Sequence, residues 1–336
     1  MYSGTICFDT SSVLAVRRSN QDVFFDRSAP DPIRGPGQAL IGVSHVLLAR
    51  ADAAVCRGEI DHEGVVGHQF VGVVEACDDE KWVGKRVVGN INIADPSSPL
   101  ARRGLGNHDP RREVLGLRGR DGCLAERVVL ETRNLVEAPE GVGDEQAVFS
   151  WAVGCAVHAG QVVHIEGKPY VTVLGEGLAG LLCAQVMTGL NASVRLLGTR
   201  PRRLELCAKW GVRHRHLDEV GRRQDQDVVI DTTGDPRLLR EALDMVRPLG
   251  TIVLCGAALP LGGEPTPIDL SPVAARELRL VGSRCGNISE GLAAIGSGRI
   301  DLSGLVTKRF RFEDAIAALR ATQDADQIGV LVTMGA

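Results

Sequence analysis

The rhythm of hydrophobic and polar positions changes near residue 150. Before that point short runs alternate with a period of two, as in QALIGVSHVLL (38–48) and FVGVVEA (70–76), and glycine and proline interrupt them. A period of two buries one face of each segment, so the first part of the chain is predicted to form the short strands of an all-β unit. Beyond it the strand-like runs VTVL (171–174), SVRLL (193–197), DVVID (227–231), TIVLC (251–255) and LRLVG (278–282) alternate with helical patterns. That alternation predicts an α/β unit, a parallel sheet covered by helices on both faces.

One predicted helix can be read in detail. In DPRLLREALDMVRPLG the side chains of Leu238, Leu239, Ala242, Leu243, Met245 and Val246 fall on one face. Pro236 suits a first turn, and Pro248 with Gly250 is expected to end the helix. The last fifty residues read strand, helix, strand (LVTKRFRF, EDAIAALRATQ, QIGVLVT). From periodicity alone they either extend the parallel sheet or return to the first unit.

A chain of 336 residues suits two domains, and 44% hydrophobic with 24% charged residues excludes a disordered protein. A net charge of −4 offers no basic surface for nucleic acid or anionic lipid, which leaves small molecules as the expected partners. The opening MYSGTICFDT lacks the basic and apolar regions of a secretion signal, and no apolar run is long enough to span a bilayer. The nine cysteines are scattered, odd in number and without a CxxC pair. Reduced thiols and a cytoplasmic location are therefore expected.

Chemistry begins after VTVL, where Gly175-Glu176-Gly177-Leu178-Ala179-Gly180 precedes the helical LLCAQVMTG. Glycines there allow a tight turn and close approach of backbone to a pyrophosphate, and the helix start supplies N–H donors. Strand, loop, helix and second strand in this order predict a dinucleotide site. An acid about 20 residues on would bind a ribose 2′-hydroxyl, but SVRLLGTRPRRLEL places Gly198, Thr199 and Arg200 at that strand end, with Arg202 and Arg203 behind. Arginine suits a 2′-phosphate, so NADP(H) is expected in preference to NAD(H); the plainer alternative is that these arginines are solvated helix charges.

Six segments together, GHQFVGVV, VLGLRGRDGCLAERVVL, AVFSWAVGCAVHA, VTVLGEGLAG, DVVIDTTG and LVGSRCG, resemble the medium-chain dehydrogenases/reductases, on the zinc-dependent alcohol, polyol and threonine dehydrogenase branch. The resemblance spans essentially the whole chain. It implies a GroES-like β domain from residues 1–147, completed by 287–336, with a Rossmann domain from 148–286 inserted and the substrate cleft between them. The tail is thereby assigned to the first domain. The cofactor-binding residues implied are Gly175, Gly177, Leu178, Gly180, Gly198, Thr199, Arg200, Thr232, Gly256 and Arg284. A homodimer or homotetramer extending the sheet through 278–283 is implied as well.

In zinc-bearing relatives a cysteine, a histidine and a glutamate or cysteine hold the catalytic metal. Here the corresponding positions carry Ala49, His68 and Trp151; the relay hydroxyl is Ala51, and the acid after the histidine is Gln69. Methyl and indole side chains are not zinc ligands. The four structural cysteines map onto Asp95, Ser98, Ala101 and Asp109, which suggests that the lobe persists without its metal. A salvage set of His68, Cys155 and Asp52 is the best rebuilt site that the residues offer, and no metal is expected. Zinc-free members of the superfamily reduce quinones or activated C=C bonds, so the expected activity is NADPH-dependent reduction of a quinone, enone or carbonyl compound. Its expected catalytic residues are His68 as proton donor, Gln69, Asp52 and Trp151. Two alternatives stand beside it: a non-catalytic NADP(H)-binding protein, and a dehydrogenase with a rebuilt zinc site.

Overall fold

The protein, seen as a computed structural model, is described over residues 12–20, 22–256 and 267–335. The opening stretch MYSGTICFDT, with Cys7, lies outside the described residues. Along Gln38–Leu48 the predicted alternation is realised: Ala39, Ile41 and Val43 turn inward while their neighbours are half-buried. This strand is the centre of a seven-stranded sheet in the order Leu135–Glu137, Arg86–Gly89, Phe70–Cys77, Gln38–Leu48, Gly329–Thr333, Val306–Arg311, with Arg127–Glu131 also paired to Gln38–Leu48. The tail thus returns to the first unit. Val330 faces Leu48 and Val332 faces Val46 in antiparallel register, which keeps the buried side chains of both strands on the core side.

The apolar runs of the second part form a six-stranded sheet, every pairing parallel: Arg213–His216, Ser193–Gly198, Tyr170–Leu174, Gln226–Asp231, Val246–Leu254, Arg279–Gly282. In chain order that is third, second, first, fourth, fifth and sixth. The winding direction reverses beside Tyr170–Leu174, and in such sheets ligands bind outside the carboxyl ends of the strands at that point. This is the doubly wound architecture expected from the alternation.

The helix Pro236–Met245 stops earlier than predicted. Val246 takes an extended backbone (ψ 136°) and opens the strand Val246–Leu254 opposite Gln226, so it belongs to the sheet rather than to the helix face. A β-branched residue fits the pleated sheet, and Arg247, preceding Pro248, is steered away from helical backbone. The two sheets share a core. Leu47, Val71 and Val88 from the first cluster with Val171 and Val173 from the second, through the helices Ser150–Gln161, Leu178–Gly189 and Ile288–Gly296. Full burial of one such side chain contributes about 1.5–3 kcal/mol, so this seam fixes the cleft between the sheets firmly.

Candidate active site

His68 stands between a turn and a strand. Gly67 makes the turn at φ +91°, its carbonyl accepts from the Cys123 N–H at 2.9 Å, and the Gln69 carbonyl accepts from the Leu47 N–H at 3.0 Å. The ring is therefore held at the start of an interior strand of the sheet rather than on a mobile loop. Its Nδ1 lies 2.9 Å from Oδ1 of Asp52, the third residue of the helix Arg50–Cys56. The other oxygen of Asp52 accepts from the Ala49 N–H at 2.7 Å. Asp52 is fully buried and His68 is 4% exposed, so the carboxylate fixes the ring's orientation and leaves Nε2 as its second hydrogen-bonding atom. His68 and Gln69 line the large cleft between the sheets. The Oε1 atom of Gln69 is buried with no partner among the described residues.

Ala49, Ala51, Trp151 and Cys155 line the same cleft. Of the three positions that the resemblance assigns to catalytic zinc, only His68 carries a zinc-binding group. The salvage set does not assemble among the described residues: one Asp52 oxygen is taken by the His68 ring and the other by the Ala49 N–H, and the three side chains do not converge. Among the described residues no three His, Cys, Asp or Glu side chains converge as a metal cage. Trp151 is half-buried and packs against both hydrophobic cores, which makes it a wall of the cleft.

The lobe of the four mapped cysteine positions is stitched by hydrogen bonds. Ser98 accepts from the Ala101 N–H at 3.1 Å, and Asp95 accepts from the Ser97 N–H at 2.8 Å. The Ser98 hydroxyl also bonds the Asp109 carboxylate, which is the main reason that Asp109 is held below the usual carboxylate range. Ser98 and Asp109 are both buried.

The cofactor loop follows Tyr170–Leu174. Gly175 has φ +103°, a backbone state that L side chains rarely adopt, and a Cβ on Gly180 would fall 1.9 Å from the Gly175 carbonyl oxygen. A Cβ on Gly177 would meet nothing within 4 Å, so the turn leaves open space where a pyrophosphate approaches the N-terminus of Leu178–Gly189. Leu178 and Thr232 line the cleft; the Thr232 hydroxyl donates to the Leu174 carbonyl at 2.8 Å, and Gly256 packs against the backbone at Thr233 and Gly234. These residues fit a dinucleotide.

Other expected side chains have other partners. Arg200 places Nη1 3.1 Å from Oε1 of buried Glu176, within the glycine loop itself. Arg203 donates to the Ala325 and Gln327 carbonyls, and Arg202 is exposed. Arg284 reaches across the cleft to the Asn107 carbonyl.

The cleft has a volume of about 1000 Å³. Arg50, Arg112 and Arg118 also line it, and none of them was singled out from sequence. Arg50 spans the two units by donating to the Thr233 carbonyl at 3.0 Å. Among the described residues Arg112, Arg118 and Arg284 bond only carbonyls and the Asn92 side chain, with no carboxylate in ion-pair reach. For Arg112 and Arg118 the density of arginine in RREVLGLRGR was the available signal.

Comparisons with known proteins agree with this layout. Residues 35–140 match the alcohol dehydrogenase GroES-like domain, and residues 179–296 match the zinc-binding dehydrogenase domain. An L-threonine 3-dehydrogenase of Chelativorans sp. (strain BNC1) is 29% identical over 332 residues, covering 91% of this chain and 95% of that protein. Among solved structures, the alcohol dehydrogenase TADH of Thermus sp. ATN1 superposes with a TM-score of 0.86 at 26% identity, over 96% of this chain and 100% of that one. A protein of Sinorhizobium meliloti 1021 described as a zinc-binding dehydrogenase bound to NADP gives a TM-score of 0.88 at 24% identity, over 96% and 99%, a likeness of fold. With both domain types in this order around one cleft, the chain belongs to the zinc-type medium-chain dehydrogenase/reductase family.

Proposed function

We propose that this chain is a nicotinamide-dependent oxidoreductase that works without zinc and reduces an activated carbonyl compound, an enone or a quinone. The observation that carries the reading is the Asp52–His68 pair beside Ala49, Ala51 and Trp151, a proton-handling group kept where the expected metal ligands and relay hydroxyl are absent. Reduced nicotinamide, when bound, supplies a hydride to the substrate carbon and is oxidised. The electron pair displaced from the C=O or C=C bond then resides on the substrate oxygen, and the protein's work is to stabilise and protonate that oxygen. His68, oriented through Nδ1 by Asp52, holds a proton at Nε2 and gives it up there; solvent returns it. The Gln69 side chain, adjacent in the cleft, is the second polar group for the same oxygen.

The substrate class is narrowed by Arg112, Arg118 and Arg284. Three guanidiniums without carboxylate partners favour a substrate bearing a carboxylate or phosphate group. For the nucleotide, the place of Arg200 supports the expected NADP(H) and its partner Glu176 opposes it. A dimer through the exposed edge strand Arg279–Gly282 is part of the proposal, as is a cytoplasmic setting. No helix among the described residues is long and apolar enough to cross a membrane.

The test is oxidation of NADH and NADPH against a panel of quinones, enones and 2-oxo acids, on protein assayed for metal. Turnover in metal-free protein supports the reading. Nucleotide binding without turnover on any member of the panel points to the non-catalytic alternative, and activity restored only by zinc defeats the zinc-free mechanism.

A further inference from the structure

The acid missing from the end of the second Rossmann strand is present in space. A Cβ built on Gly198 would lie 2.3 Å from Oε2 of Glu176 and 2.7 Å from its carboxyl carbon. A side chain at residue 198 would therefore begin where the Glu176 carboxylate already sits. In dinucleotide folds this strand end carries the acid that binds the ribose 2′-hydroxyl. Here the carboxylate reaches the same spot from the glycine loop, and a glycine at 198 makes room for it.

The group is held in place. Glu176 is only 6% exposed and lines the cleft. Its Oε1 receives Arg200 Nη1 at 3.1 Å and the Thr199 hydroxyl at 3.4 Å, while Oε2 has no hydrogen bond from the described residues. One carboxylate oxygen is thus anchored and the other is available as an acceptor. A ribose hydroxyl can donate to it. A 2′-phosphate can only accept, brings up to two negative charges beside a buried carboxylate, and must compete with that carboxylate for Arg200. Neither remaining arginine makes good the deficit, since Arg203 is committed to the Ala325 and Gln327 carbonyls and Arg202 points to solvent.

We propose that Glu176 reads the ribose 2′ position and selects NAD(H) over NADP(H), with Arg200 as the residue that positions its carboxylate. The inference rests on dinucleotide binding at the glycine loop. It turns the sequence-based preference around, because the arginine that argued for a phosphate is the anchor of the carboxylate that repels one.

The experiment is a fluorescence titration of the full chain with NADH and with NADPH, repeated on Glu176→Gln. Wild type is expected to bind NADH at least about tenfold more tightly, and Glu176→Gln, which removes the negative charge and weakens its hold on Arg200, to bring the two affinities together or invert them. A double variant, Glu176→Ala with Gly198→Asp, returns the acid to the strand and is expected to restore the NADH preference. This tests the position of the charge independently of any fault in the single variant. Wild type that prefers NADPH, or a preference unchanged by Glu176→Gln, overturns the inference while leaving the dinucleotide site intact. Binding of neither nucleotide by folded wild type overturns the dinucleotide reading itself, and this inference with it.

Discussion

Asp52 grips two groups at once: one oxygen lies 2.9 Å from His68 Nδ1, and the other accepts the Ala49 N–H that opens the short helix. The carboxylate therefore links the start of that helix to the imidazole in the cleft, and its own burial leaves water little part in the link. In a zinc enzyme an acid behind a ligating histidine tunes the metal. With Ala49 and Trp151 at the other two positions, the same acid orients the histidine and caps the short helix.

If His68 is the proton donor, His68→Ala lowers kcat by about 10²-fold or more, with the Kd of the reduced nucleotide nearly unchanged. Added imidazole restores part of the rate, an effect that repair of mere packing would not produce through kcat alone. Asp52→Asn keeps the shape and removes the charge, so kcat falls while KM changes little. An unchanged kcat in both variants would leave His68 with only a structural hydrogen bond.

Replacing Ala49 with Cys and Trp151 with Glu supplies the two ligand types missing around His68. The double variant is expected to take up one zinc ion per chain, read by metal analysis after dialysis and by a rise in Tm on adding zinc. Trp151 packs against both cores, so the metal-free variant is expected to melt below wild type. Absence of uptake by folded protein would show that these positions do not face one another as the resemblance implies.

Arg284 joins the two sides of the cleft at Asn107 and, with Arg112 and Arg118, makes its cationic end. Arg284→Ala is expected to raise KM for a carboxylate-bearing substrate by about tenfold or more and to leave kcat/KM for a neutral quinone close to wild type. Sulfate should inhibit the wild type competitively against the anionic substrate and the variant less. Equal losses on both substrates would instead assign Arg284 to holding the two sides together.

Where periodicity was strong, the sequence was legible. The runs at 38–48, 70–76 and 193–197 all lie within observed strands, because a buried face or a buried sheet must be apolar wherever it occurs. The end of the helix at Met245 was not, since Val246 satisfies a helix face and a strand equally well until its partner Gln226 is known. The same limit governs the site. Gly198 and Arg200 were readable as strand-end residues, but the carboxylate filling the space over Gly198 comes from Glu176, 22 positions earlier, and no linear pattern joins the two. The acid at the variable second position of the glycine loop was the signal, visible only when the side chain's size and charge are asked to go somewhere.

The lobe that follows residue 94 tests whether a hydrogen-bonded pair can stand in for a metal. The Ser98 hydroxyl lowers the pKa of Asp109, and the Arg111 N–H adds to that by donating to the carboxylate at 2.8 Å. A carboxyl group that is more acidic folded than unfolded stabilises the fold fully above its unfolded pKa, about 3.9, and loses that contribution as the pH falls through its lower, folded value. Ser98→Ala removes the largest cause of the shift. Its Tm is therefore expected to fall below that of wild type at pH 7, and the gap to narrow as the pH drops from about 4 towards the lower, folded value, at which the carboxylate of native wild type takes up its proton. Thermal melts of the two proteins between pH 7 and pH 3 measure this directly. A gap that stays constant down to the lowest pH would mean that Ser98 acts only through the Ala101 N–H that it accepts, with no contribution from the Asp109 charge.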